Sequence, residues 1–248
     1  MEEDYLLISD DGPGFHTLEG EGRYLGYPSV FMRLFGCNLT CKGWASKDSP
    51  YGCDSYVSWS KKHKYTFTEL FEFYDKNGFI ENLRRGDIWK ITGGEPMLRQ
   101  KPLLNFIKAF VNRYHFTPKI DIETNGTLLP EKEWDSYNTT YTVSPKLSSN
   151  GDSERLTYKP QVLNFHIEKK SCFKFVVKNE TDLEELKYKY INSSLVSIPR
   201  ENIWLMVCAG SREEHINVAE SIADLCKKEG YKLSPRLHLL IWDKALKV

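Results

Sequence analysis

Residues 31–56 read FMRLFGCNLTCKGWASKDSPYGCDSY and hold three of the chain's six cysteines, Cys37, Cys41 and Cys53, spaced C-x3-C-x11-C. An apolar run over residues 30–35 leads directly into Gly36 and the first cysteine, the pattern of a strand that opens into a loop. Alternation along it sets Phe31, Arg33 and Phe35 on one face and Val30, Met32 and Leu34 on the other. Three thiolates gathered on one loop suit an iron–sulfur cluster or a zinc ion. A tetrahedral structural zinc needs a fourth ligand; His63 and His16 are available, and neither stands at finger spacing. A cubane cluster held by three cysteines leaves one iron open to a small molecule. The loop alone leaves both readings open.

Outward from this stretch, strands and helices alternate. Residues 5–8 suit a short first strand, and the Gly- and Pro-rich run after it, DDGPGFHTLEGEGRYLGYPS, reads as a loop whose glycines allow close approach of a ligand. Downstream, strands are expected over residues 88–91, 119–123, 140–143, 172–177 and 203–207. Helices are expected from Thr66 or Thr68 to about Asn77, over 102–114, near 161–165, over 182–190 and over 213–229. The last of these carries Ile216, Ala219, Ile222, Ala223 and Cys226 as its apolar positions. Residues 147–159 are polar and read as a mobile loop. The alternation implies a parallel α/β sheet with helices outside, and ligand sites in such folds gather at the C-terminal ends of the strands. TGGEP (92–96), ETNGT (123–127), SPK (144–146) and CAGS (208–211) all fall there.

Cysteines after the first strand of the sheet and TGGEP after the next together resemble the radical S-adenosylmethionine (SAM) enzymes. The resemblance narrows with HTLEGEG at residues 16–22, FMRLFGC at 31–37, CDSY at 53–56, ITGGEP, IETNGT, VSPK and the terminal LSPRLH. In this order, over about residues 15–238, they resemble the 7-carboxy-7-deazaguanine synthase family. The resemblance implies an α/β partial (incomplete) TIM-type barrel of about six parallel strands, one radical SAM domain over residues 1–248. It has a cluster loop at 36–56 and the mobile loop at about 147–160. It implies a lyase that converts 6-carboxy-5,6,7,8-tetrahydropterin to 7-carboxy-7-deazaguanine and ammonia, by 5′-deoxyadenosyl-radical hydrogen abstraction and ring contraction, in queuosine-type biosynthesis.

By the same resemblance, Cys37, Cys41 and Cys53 ligate a [4Fe–4S] cluster. Gly93, Gly94 and Glu95 contact SAM, as do Ser144, Pro145 and Lys146 and, on a weaker match, Cys208 and Ser211. Leu18, Glu19 and Gly20 read the pterin, Arg33 meets its carboxylate and the Thr92 hydroxyl contacts the substrate. Ser55 takes the place of a magnesium-binding threonine. An electron donor such as flavodoxin and a homodimer are implied as partners. The chain departs from the family pattern in its eleven-residue cysteine gap, in Glu19 for a common Gln, in Ser55 and in Arg236 near the end. The alternatives are another radical SAM enzyme, such as a glycyl-radical activase, or a non-catalytic zinc-binding module.

Composition limits the other classes. Thirty-four Lys and Arg balance thirty-four Asp and Glu, for a formal net charge of zero, which argues against a broad nucleic-acid footprint. No 18-residue apolar run exists, so neither a membrane span nor a secretory signal is expected. A cytoplasmic enzyme with reduced thiols follows. Cys172, Cys208 and Cys226, in apolar or helical contexts, suit buried small hydrophobes.

Overall fold

The apolar run before Cys37 forms the hinge between two parts of one sheet. The structure is a computed structural model that describes residues 4–10, 12–45 and 51–245. In chain order it contains β1 (Tyr5–Ser9), β2 (Phe15–Leu18), β3 (Pro28–Leu34), α1 (Tyr56–Trp59), β4 (Lys62–Thr66), α2 (Phe67–Lys76), α3 (Phe79–Arg84), β5 (Ile88–Gly93), α4 (Gln100–Tyr114) and β6 (Lys119–Thr124). There follow β7 (Thr139–Val143), α5 (Glu154–Thr157), α6 (Pro160–Glu168), β8 (Cys172–Val177), α7 (Glu180–Leu186), β9 (Ile203–Val207), α8 (Arg212–Glu229), β10 (Lys232–Ser234) and α9 (Leu237–Trp242). The sheet order is β10-β9-β8-β7-β6-β5-β3-β1-β4, with β2 also on β3. From β3 to β10 every neighbouring pair is parallel, whereas β1 and β2 pair antiparallel to β3, and β4 antiparallel to β1. The order leaves β10 and β4 as edges, so the barrel is open. The expected parallel sheet is present, extended by β10 as one strand beyond the expected six.

Alternation within the parallel strands sorts them into two faces. Val30, Met32, Leu34, Trp89, Ile91, Ile120, Ile122, Phe173, Phe175, Ile203 and Leu205 are buried in the core shared with the helices. Trp89 shows the packing: its ring lies 4.8 Å from Phe110 of α4, and its indole N–H donates to Tyr74 Oη of α2 at 3.1 Å. The intervening positions are polar and also buried: Lys90, Thr92, Asp121, Thr142 and Lys174. A sheet covered on both sides normally reads as continuous apolar runs; here the second face lines a polar interior.

Several expectations change on contact with the fold. The segment read as a Gly/Pro-rich loop contains β2, held by register with β3 from Phe15↔Phe31 to Leu18↔Pro28. The polar run after Cys53 holds α1 and β4; the lysines of β4 belong to an edge strand, where charge is tolerated. Thr66, rather than Thr68, caps α2: its hydroxyl accepts from Glu69 N–H, and Glu69 returns a bond to Thr66 N–H. Residues 147–159, read as a mobile loop, hold a 3₁₀ turn at Ser148–Asn150 and α5. In α8 the inward face runs through His215, Ile222 and Cys226, while Ile216 is 61% exposed, one position off the expected stripe. Residues 46–50 of the long cysteine gap lie outside the described residues.

Candidate active site

At the C-terminal ends of the parallel strands the structure encloses a cavity of about 530 Å³. Cys37, Cys41 and Cys53 all line it, together with Arg33, Thr92, Gly93, Gly94, Ser144, Lys146, Cys208, Ser55, Leu18, Glu19 and Gly20. Glu95, Pro145 and Ser211 are buried but do not line it.

The two glycines of TGGEP let β5 close on the cysteine loop. Gly94 N–H donates to Leu34 O at 3.2 Å and Glu95 N–H to Gly36 O at 2.8 Å. A Cβ on Gly94 would lie 2.1 Å from Gly36 O and 2.8 Å from the Cys37 Cβ, and one on Gly93 would lie 2.1 Å from Leu34 O. The pair therefore brings the β5 turn against the backbone that carries Cys37. The Glu95 side chain is committed elsewhere. Its carboxylate accepts from Met97 N–H at 2.9 Å, the Thr124 hydroxyl at 2.8 Å and Asn125 N–H at 2.7 Å. It thus ties the ends of β5 and β6 together. Burial pushes its carboxyl up to about 6 against those donors.

Among the described residues no three His, Cys, Asp or Glu side chains stand together as a group that could hold one metal ion, yet the surroundings of each of the three cysteines suit a ligating thiolate. Leu39 N–H donates to Cys37 Sγ at 3.4 Å, Asn150 Nδ2–H to Cys41 Sγ at 3.6 Å and Trp59 Nε1–H to Cys53 Sγ at 3.5 Å. Each sulfur thus accepts an N–H, as ligating sulfurs do. Burial pushes all three thiols up, and Lys146 counters this at Cys37 and Cys41. A bound cation would reverse the penalty, since coordination deprotonates a thiol outright.

Arg33 and Thr92 stand side by side in the β3–β5 register, both on the cavity wall. The Arg33 guanidinium lies 5.9 Å from the Phe15 ring centre, and Phe15 stacks on Phe31 at 5.1 Å. Thr92 donates to Glu123 Oε2 at 3.2 Å. Glu19, the departure from the family pattern, turns its carboxylate onto Lys90 at 2.8 Å, and Lys90 also pairs with Asp121 at 2.7 Å. Burial opposes the charge on Lys90, but Asp121 and Glu19 outweigh it. The Glu19 backbone is engaged as well, its N–H on Tyr27 O at 2.8 Å and its C=O accepting from Gly26 at 2.7 Å, while Gly20 O accepts from Leu237 N–H at 2.9 Å. Ser144 accepts from Lys146 Nζ at 2.9 Å. The Ser211 hydroxyl caps α8 by accepting from Glu214 N–H at 3.2 Å.

Ser55 donates to Asp54 Oδ1 at 3.1 Å. Arg236, the terminal departure, joins Asp54, Glu21 and Ala209 O, with Glu21 Oε1 at 3.0 Å. Burial opposes ionisation of Asp54, but Arg236 and the Ser55 hydroxyl more than offset it and hold the carboxyl at about 2. Both Asp54 oxygens are thus engaged, so a Mg²⁺ held by Ser55 would draw its other ligands from water and substrate oxygens. Lys174 bridges Glu21 and Glu123. These charged groups were not singled out as site residues from the sequence. For Lys174 and Glu123, and for the neighbouring Lys90 and Asp121, the signal is a charged residue alternating with apolar ones inside a strand.

A partial parallel barrel with three thiols and a glycine turn on one cavity is the arrangement that the resemblance to radical SAM enzymes implies. No family model matches the chain. A 7-carboxy-7-deazaguanine synthase of Pyrobaculum aerophilum is 31% identical, covering 93% of this chain and 93% of that protein. Those of Halobacterium salinarum and Hyperthermus butylicus are 28% and 29% identical over 95% and 92% of this chain. The crystal structure of QueE from Escherichia coli superposes with a TM-score of 0.63 at 23% identity, over 94% of this chain and 95% of that one, and shows the same fold. This chain belongs to the 7-carboxy-7-deazaguanine synthase family.

Proposed function

We propose that this chain is a lyase that converts 6-carboxy-5,6,7,8-tetrahydropterin to 7-carboxy-7-deazaguanine and ammonia in 7-deazaguanine (queuosine-type) biosynthesis. The observation that carries the reading is the convergence of three thiols, the Gly93–Gly94 turn and the Arg33–Thr92 pair on one cavity. A [4Fe–4S] cluster with SAM, held there, would supply hydrogen-atom abstraction. Cys37, Cys41 and Cys53 hold the cluster. Gly93, Gly94, Ser144, Lys146 and Cys208 line the SAM side. The tight approach of Gly94 to Cys37 supports that placement, because it keeps the β5 turn beside the thiols.

Arg33 takes the pterin carboxylate with its planar guanidinium, and Thr92 orients the ring beside it. Glu19 holds its carboxylate beside Lys90, which it shares with Asp121. Lys90 lies between Glu19 and Asp121, and Lys174 between Glu21 and Glu123, so both ammonium groups of the inner wall are engaged by carboxylates. Pro145, Glu95 and Ser211 serve by shaping the turns that carry their neighbours. Residues 1–248 act as one domain, with residues 147–160 as the segment flanking the cluster loop. A low-potential one-electron donor such as flavodoxin reduces the cluster, and the chain works in the cytoplasm as a homodimer. Among the described residues no helix is long and apolar enough to cross a membrane.

Anaerobically purified chain carries iron and sulfide under this reading; zinc at one per chain without iron would contradict it. Ser55 and Mg²⁺ give a second test. Ser55→Ala lowers turnover and flattens its dependence on added Mg²⁺, whereas Ser55→Thr keeps both. A Mg²⁺ titration of activity with the alanine variant checks this, and an unchanged response would remove Ser55 from the metal site.

A further inference from the structure

We propose that Asp152 is the positioning residue that holds the long cluster loop in its ligand-presenting shape, an inference that rests on Cys41 being a cluster ligand. Cys41 lies in the left-handed region, at φ 47° and ψ 43°. A side-chain-bearing residue rarely adopts it, and it persists where the surroundings impose it.

Here one carboxylate imposes it. Asp152 Oδ2 accepts from Thr40 N–H at 3.0 Å and from Cys41 N–H at 2.9 Å, and its Oδ1 accepts from the Thr40 hydroxyl at 2.6 Å. Asn150, fully buried, donates to Asp152 Oδ2 at 3.1 Å and to Cys41 Sγ at 3.6 Å, and accepts from Asp152 N–H at 2.8 Å. The holding segment is itself anchored, because Ser148 gives both its N–H and its hydroxyl to Glu185 Oε2, at 2.8 and 2.6 Å.

Cys41 is where the eleven-residue gap sets out, and the gap returns onto the same residue. A Cβ on Gly52, next to Cys53, would fall 2.3 Å from Cys41 O. The direction of the Cys41 backbone therefore fixes both ends of the gap. A long gap costs closure entropy each time its third thiol is brought to the cluster. Two amides and a hydroxyl locked on one carboxylate, more than a hundred residues away in the chain, fix the end from which the gap must close. The family's cysteine motif does not include this carboxylate. In this chain the 147–152 segment, outside the motif, does the holding.

The test compares Asp152→Ala and Asp152→Asn with the parent after anaerobic reconstitution. Two quantities are measured: the rate at which a ferrous chelator withdraws iron, and the melting temperature of the cluster-free chain. Asp152→Ala is expected to release iron about tenfold faster or more, from the loss of hydrogen bonds to a charged acceptor. Its cluster-free melting should fall only modestly, since the same bonds are also made without the cluster. Asp152→Asn should release iron nearly as slowly as the parent, since its oxygen can accept both amides while its Nδ2–H donates to the Thr40 hydroxyl. Thr40→Val, which removes the hydroxyl bond alone, should accelerate release about threefold, and it keeps the inference testable should Asp152→Ala not fold.

Parent-like iron release in Asp152→Ala, or in Thr40→Val, would overturn the inference. So would equal loss of melting temperature in the Ala and Asn variants, which is the signature of a general structural role. A parent chain that takes up no iron and sulfide would instead overturn the cluster reading itself, and that outcome appears before any variant is measured.

Discussion

Single replacement of Cys37, Cys41 or Cys53 by Ala abolishes reductive cleavage of SAM, while Cys172→Ala leaves it intact. The three thiols line one cavity, and each accepts an N–H donor. Cys172 is also buried, but it lies on β8, in register with Thr142 of β7, and does not line the cavity. Burial pushes its thiol up to about 12, so it is an inert core residue. A cluster with two remaining protein ligands cannot keep the geometry that leaves one iron for SAM. The measurement is 5′-deoxyadenosine formation under reducing, anaerobic conditions, alongside iron and sulfide content. Equal loss in Cys172→Ala would mean that the ligand set is wrongly assigned.

Arg33→Ala weakens pterin binding by roughly 30-fold or more, with SAM binding and cluster content near those of the parent. Truncating one member of a buried hydrogen-bonded charge pair costs about 2–5 kcal/mol, and about 1.4 kcal/mol is a factor of ten. The geometry sets Arg33 on the cavity wall beside Thr92, while its strand neighbours Met32 and Leu34 are fully buried on the helix side. Arg33→Lys restores only part of the affinity, because an ammonium does not make the paired contact of a guanidinium. Calorimetry or fluorescence titration with the pterin reads the effect. Loss of the cluster or of folding in Arg33→Ala would make the residue a structural ion pair, and parent-like pterin affinity would remove it from the substrate site.

The alternation from Val30 to Leu34 was legible in the sequence because Val30, Met32 and Leu34 turn to one face, where the structure buries them in the core, while Phe31 and Arg33 turn to the cavity. The same alternation ends at Leu34: Phe35 leaves the strand and sits near Lys62, 5.9 Å from its ammonium, instead of following Arg33. β2 was hidden because its four residues lie in a Gly-rich setting and gain strand structure only by pairing with β3. β4 was hidden for a different reason: Lys62, His63 and Lys64 carry no apolar face, and their order comes from the β1 ladder.

At the site, the cysteines, the glycine turn, Arg33 and Thr92 could be found by spacing and by motif. The ion pairs behind them could not be found by spacing alone. Lys90 has 1% of its side chain exposed only because Glu19 and Asp121 come from two other parts of the chain, and an isolated lysine in a sequence reads as surface. Glu95 shows the converse. It belongs to the motif, yet the fold spends its carboxylate on Met97, Thr124 and Asn125. Arg236 was visible as a departure, and its meaning came only with Asp54 and Glu21 beside it. In this chain a charge outside the motif braces the loop that the motif defines.

The central claim is tested most directly by anaerobic incubation of the reconstituted chain with SAM, a reductant, Mg²⁺ and 6-carboxy-5,6,7,8-tetrahydropterin, followed by mass spectrometry. The account predicts 7-carboxy-7-deazaguanine, in a yield that falls with Arg33→Ala. SAM cleavage to 5′-deoxyadenosine with the pterin left unchanged would contradict it.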